Sequence, residues 1–182
     1  MPSIASPESV LTFWRKAGPN KWFDKDAAFD HEIRARFVAT YEAAAAGALA
    51  DWEATPEGAL ALTIVLDQFP RNMFRGSART YAADPLARAV ADRALARGFD
   101  RFMTLADAQF FYLPFEHSEE LADQERCCEL FRAAGDAEAL KWAELHTDII
   151  RRFGRFPHRN KVLGRLTTPE EQAFLDGGGF TG

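Results

Sequence analysis

At 182 residues with a formal net charge of −5, the chain is the size of one domain and lacks the positive balance of a general nucleic-acid binder. Hydrophobic residues make up 47%, with sixteen Phe and four Trp, which excludes a disordered chain. No stretch approaches the roughly 20 apolar residues that span a bilayer, and "MPSIASPESVL" has no basic start followed by an apolar run, so a cytoplasmic protein is expected.

Almost every segment reads as helix. Ser6-Pro7-Glu8 offers an N-cap with Pro at the first helical position. From Lys25 to Ala46, Phe29, Ile33, Phe37 and Tyr41 recur every four residues, the spacing of an amphipathic helix. Thr55-Pro56-Glu57 opens a third helix whose "ALALTIVL" is apolar nearly all round and therefore central. Asp84-Pro85 starts a fourth, stopped at Gly98. Thr104 caps a fifth, which Pro114 should bend or interrupt. Ser118 caps the next, closed by Gly135; Asp136 caps another, closed by Gly154. Thr168-Pro169-Glu170-Glu171 is a capping box for a short last helix. No alternating β-branched run appears, so the expected fold is all-α: antiparallel helical hairpins forming a bundle or short superhelix of about seven to nine helices. One helical domain over residues 1–182 is expected, with 177–182 as a flexible tail around "DGGGF".

Charge is unevenly spread. Gln68–Ala83 contains no acid but holds Arg71, Arg75 and Arg79; Ile149–Pro169 contains no acid but holds Arg151, Arg152, Arg155, Arg159, Lys161 and Arg165. Each basic stretch carries one of two similar words, "DQFPRN" at Asp67–Asn72 and "GRFPHRN" at Gly154–Asn160. Both words should follow the end of a long helix, where Pro70 and Pro157 stop the backbone and Phe69 and Phe156 anchor the turn. Arg presents a five-donor fork suited to carboxylate or phosphate, and Asn adds a donor and an acceptor. A polar pocket is expected in which Asp67, Gln68, Arg71, Asn72, Ser118, Arg155, His158, Arg159 and Asn160 hold a ligand. The competing reading is a structural network in which Asp67 and Glu116 are the internal partners of these cations.

In "YLPFEHSEE", Glu116 and His117 place a carboxylate and an imidazole in one short segment, the minimum equipment for acid–base work on an anionic substrate. Ser118 reads as a cap rather than a nucleophile, and His146, set among Trp142, Ile149 and Ile150, as a packed residue. Metal binding is not expected: there is no HExxH, CxxC or Glu-x-x-His pair, and Cys127 and Cys128 are adjacent. No glycine-rich phosphate loop is present, and no cofactor is expected.

"VLTFW" (Val10–Trp14), "WF" (Trp22–Phe23), "LDQFPRNMFRG" (Leu66–Gly76), "FFYLPFEHSE" (Phe110–Glu119) and "FGRFPHRN" (Phe153–Asn160) together resemble the bacterial family called domain of unknown function 924 over nearly the whole chain. The resemblance implies an all-helical fold related to tetratricopeptide-repeat proteins and brings no established activity. Its motif positions fall here on Asp67, Gln68, Arg71, Asn72, Glu116, His117, Ser118, His158, Arg159 and Asn160. Three readings stay open: a binder of, or enzyme on, a small phosphate- or carboxylate-bearing ligand; an interaction module for an acidic peptide or C-terminal carboxylate; and a purely structural polar cluster. Nucleic acid and membrane are not expected as partners.

Overall fold

A computed structural model describes residues 3–181. The first two residues of "MPSIASPESVL" and Gly182, the end of the expected tail, lie outside the described residues. Within them there are nine α-helices and no strand: α1 (Pro7–Ala17), α2 (Pro19–Trp22), α3 (Ala27–Ala45), α4 (Pro56–Met73), α5 (Asp84–Ala96), α6 (Leu105–Glu116), α7 (Leu121–Ala134), α8 (Ala137–Phe153) and α9 (Pro169–Asp176). The chain is all-α. No helix among the described residues is long and apolar enough to cross a membrane. Two compact units can be distinguished. The first comprises the chain up to Arg75 together with Arg79–Pro114; the second comprises Gly76–Ala78 and the chain from Phe115 onward.

Helix starts follow their caps. Ser6 accepts the Ser9 N–H, Thr55 accepts the Gly58 N–H, Thr104 accepts the Asp107 N–H and Asp136 accepts the Ala139 N–H. The capping box at Thr168 and Glu171 is complete. α5 starts at Asp84, as expected, and the Asp84 carboxylate pairs with Arg71. One start differs from expectation. Ser118 stands clear of α7, whose cap residue is Glu120; its hydroxyl accepts the Glu120 N–H and donates to Asp123.

The prolines also behave differently from one another. α4 runs through Pro70 to Met73, and α6 through Pro114 to Glu116. "DQFPRN" is therefore the last turn of α4, not a segment beyond it. An interior proline removes one ladder bond, but Leu66, Phe69 and Pro70 are all buried, and packing holds the helix together until the Phe74 N–H closes on the Pro70 carbonyl. "GRFPHRN" does lie past its helix. Gly154, at φ 67°, stops α8 in the left-handed region that glycine tolerates. Phe156 is extended, as a residue before proline should be, and Pro157–Arg159 form a 3-10 turn.

In the first unit, every residue of α4 from Ala59 to Leu66 is buried, and α1, α3 and α5 pack around that helix. The four residues expected on one face of α3, Phe29, Ile33, Phe37 and Tyr41, are all buried. Phe37 and Phe69 meet with ring centroids 4.8 Å apart, and Trp14 contacts Phe69 and Phe110 edge-on. Gly58 is required by close approach, since a Cβ there would sit 2.1 Å from the Trp52 carbonyl oxygen. In the second unit α7 packs on α8, and Ile149, Ile150 and Phe156 form a small core that Phe153, Phe174 and Phe180 complete.

Leu62 is 3% exposed on α4. Leu62→Asp forfeits about 1.5–3 kcal/mol of apolar burial and leaves a carboxylate without a partner, so it should unfold the first unit. Circular dichroism and a urea melt check this; a native-like Leu62→Asp melt would contradict the central place given to α4.

Candidate functional site

The first word is tied into the protein. Arg71 donates from Nη1 to the Asp67 carbonyl (2.6 Å) and grips Asp84 with both Nη atoms (3.0 and 3.1 Å); Asp67 Oδ1 is 3.2 Å away. Burial alone would lower the pKa of Arg71, but the two carboxylates outweigh it and raise the pKa, so the guanidinium stays charged. Gln68 Nε2 donates to Asp67 Oδ2 at 2.7 Å. Asn72 and Arg75 both donate to Asp30 of α3, and Arg79 is paired with Glu42.

The second word divides. Arg155 donates twice to Glu171 (2.6 and 2.9 Å) and once to the Leu166 carbonyl. Asn160 is fully buried; its amide donates to Glu171 (3.0 Å), and its Oδ1 accepts from Arg165 (2.9 Å). Arg165 in turn makes two bonds to Glu119 (2.6 and 2.9 Å), which also accepts the Phe156 N–H (2.8 Å). Glu171 is held down to about 2, first by the Arg155 hydrogen bonds. Burial would raise Glu119, but Arg165 and the Phe156 N–H bring it below the ordinary value.

His158 and Arg159, the other half of the word, gather instead around the Phe156 ring. Both His146 and His158 have ring centroids 5.6 Å from it, and the Arg159 guanidinium carbon lies 4.4 Å over it. Phe180, from the segment expected to be a tail, contacts His146 at 4.5 Å and His158 at 5.2 Å. His146 Nδ1 is 2.7 Å from the Trp142 carbonyl, which can only accept, so Nδ1 carries the proton. The same nitrogen is 3.5 Å from Glu116 Oε1. Burial is the main reason both imidazoles resist protonation: His146 is lowered to about 4, and His158 to about 3 with the Arg159 charge adding to the effect. His158 Nδ1 is buried and has no hydrogen-bond partner.

Glu116 and Ser118 are buried and His117 is half-buried. Their turn is pinned by Gln124, whose amide donates to the Glu116 carbonyl (2.5 Å) and the Ser118 carbonyl (2.6 Å). Within the second unit the structure thus brings Glu116 to His146, and His158 and Arg159 to one aromatic ring, while Arg155 and Asn160 serve Glu171. Sequence reasoning did not single out Glu119, Gln124, Arg165, Glu171 or Phe180 for these roles. The acid-free stretch was itself a signal that carboxylates must arrive from elsewhere. Among the described residues no group of three or more His, Cys, Asp or Glu is placed to hold a metal.

Both histidines have folded-state pKa values below their ordinary value near 6.5. Their contribution to stability is full above pH 6.5 and is lost as pH falls toward 4 and 3, because unfolding then takes up protons. Each should steepen the fall by up to about 1.4 kcal/mol per pH unit. Glu171 acts in a lower window, between 4.5 and about 2. Urea melts from pH 7 to 5 should show this loss, with His158→Gln reducing the slope by about one proton; a flat profile would contradict neutral imidazoles.

A family model described as bacterial protein of unknown function, DUF924, matches residues 10–179. The solved structure of a protein of unknown function, ATU0120 from Agrobacterium tumefaciens, is 51% identical, with 94% of this chain and 97% of that one covered at a TM-score of 0.91. No curated protein matches the chain. The match runs through every motif described above, from Val10 to the segment after α9, and the chain belongs to the bacterial DUF924 family.

Proposed function

We propose that the second unit binds a small anionic ligand, bearing phosphate or carboxylate, beside His158, Arg159 and His117, with Glu116 and His146 as the groups able to move a proton. The observation that carries this reading is the buried, unpartnered Nδ1 of His158, in a ring kept neutral beside the Arg159 charge. A buried polar atom without a partner costs about 1–3 kcal/mol, which an acceptor on a ligand would recover. An anion bound beside Arg159 would also offset part of the effect that keeps His158 unprotonated, making the imidazole a better proton acceptor on binding.

A second reading holds for "DQFPRN". Arg71, Asn72 and Arg75 spend their donors on Asp67, Asp84 and Asp30, which supports a structural network there. Arg155 and Asn160 are committed to Glu171 in the same manner and frame the site without touching the ligand.

Phosphate or citrate should therefore raise the melting temperature more than chloride at matched ionic strength. At a hundredfold excess over Kd the gain is about 2.7 kcal/mol, roughly 5–10 °C for a chain of this size. Excluded salts stabilise generally, so Arg159→Ala and the milder His117→Ala are compared with the exposed control Arg151→Ala. The specific gain should vanish in the first, shrink in the second and persist in the control. An equal gain in all of them would refute the anion site.

A further inference from the structure

A cleft of about 480 Å³ in the first unit is lined by Arg15, Trp22, Glu57, Phe102, Thr104 and Asp107, among others. An adjoining cleft of about 430 Å³ shares Arg15 and Glu57 and adds Glu8. Both fall within the usual range of small-ligand sites, about 300–1,000 Å³, and neither involves the second unit. Arg15 and Asp107 are spent on each other: Nε lies 3.1 and 3.3 Å from the two carboxylate oxygens, and Nη2 lies 2.8 Å from one. The charge left over is negative. Glu57 and Glu8 are exposed and have no ion-pair partner among the described residues. The remaining wall is aromatic. Trp22 gives its Nε1–H to the Trp14 carbonyl at 2.7 Å, stacks on the Trp14 ring and is 7% exposed, so it lends the cleft only the uncovered part of its own ring, while Phe102 is 73% exposed.

Carboxylates facing aromatic rings are the recognition chemistry of an organic cation: the ring quadrupole attracts the charge, and the carboxylate accepts its N–H donors. Glu8 and Glu57 also stand in the first turns of α1 and α4, where negative charge favours a helix. That explains the two acids but not an exposed phenylalanine at the same cleft. We propose that this cleft binds a small organic cation, a primary ammonium or guanidinium on a short apolar stem, seated between Glu57 and the rings of Trp22 and Phe102.

The full chain, labelled with ¹⁵N, is titrated with benzylamine and with propylguanidine, and with benzoate as the charge-reversed control. Both cations should shift amides at Trp22 and at Phe102–Asp107 and bind in the millimolar range; benzoate should leave those amides unmoved. Glu57→Gln should weaken benzylamine about fivefold, and Phe102→Ala about threefold. Both residues are exposed enough for the variants to fold, which circular dichroism verifies. Benzoate binding at these residues as tightly as benzylamine, or a Glu57→Gln affinity within twofold of the wild type, would overturn the proposal. The anion experiment reads the other unit, so either assignment can fail without the other.

Discussion

A guanidinium withdrawn from water needs a carboxylate to go with it, and this requirement organises both basic stretches of the chain. The requirement is strongest at Arg71, the least exposed of these arginines with such a pair, and weaker at the half-buried Arg155 and Arg165 and the exposed Arg75. In the first unit the last turn of α4 is tied to α5 through Arg71 and Asp84, and to α3 through Asn72, Arg75 and Asp30. In the second, Arg155 and Arg165 bring the segment after α8 to Glu171 and Glu119. Carboxylates from distant positions are thus imported into stretches that have none of their own. Each pair also fixes a backbone segment: Arg165 reaches the Phe156 carbonyl while Glu119 accepts the Phe156 N–H, so the extended residue before Pro157 is held on both sides.

That frame gives the second unit its chemical character. With Phe156 immobilised, His146, His158 and Arg159 are gathered around one buried ring. The low polarity that stabilises the ring is the same property that keeps the imidazoles neutral. A neutral imidazole beside a permanent cation can donate to an anion or take a proton from it. Sequence proximity is therefore a poor guide here: Arg155 and Arg159 belong to one word, yet one belongs to the frame and the other stands at the imidazole pair.

Much of this was legible in the amino-acid order. The four-residue spacing of Phe29, Ile33, Phe37 and Tyr41, the apolar run of α4 and the caps at Ser6, Thr55, Asp136 and Thr168 are local signals, and local physics decides them. Pro70 misled because the rule for proline is also local, whereas the continuation of α4 is decided by burial on all sides. The partners of the arginines were legible only as a need. Nothing near Arg155 points to Glu171, whose place in a capping box already gave it a complete local explanation. Ser118 was misplaced for a related reason: its hydroxyl does cap backbone, but in the turn before α7, where Gln124 also binds. The contact of Phe180 with two histidines depends on a chain reversal after α9 that a run of glycines does not specify.

Everything proposed for the second unit depends on His146 and His158 staying neutral, and their nitrogen chemical shifts report protonation and tautomer directly. Histidine side-chain NMR from pH 7.5 to 3.5 should find His146 protonated at Nδ1 alone, and both His146 and His158 still uncharged at pH 5.5. Titration of either ring near its ordinary value of 6.5, or a His146 proton on Nε2, would contradict the account.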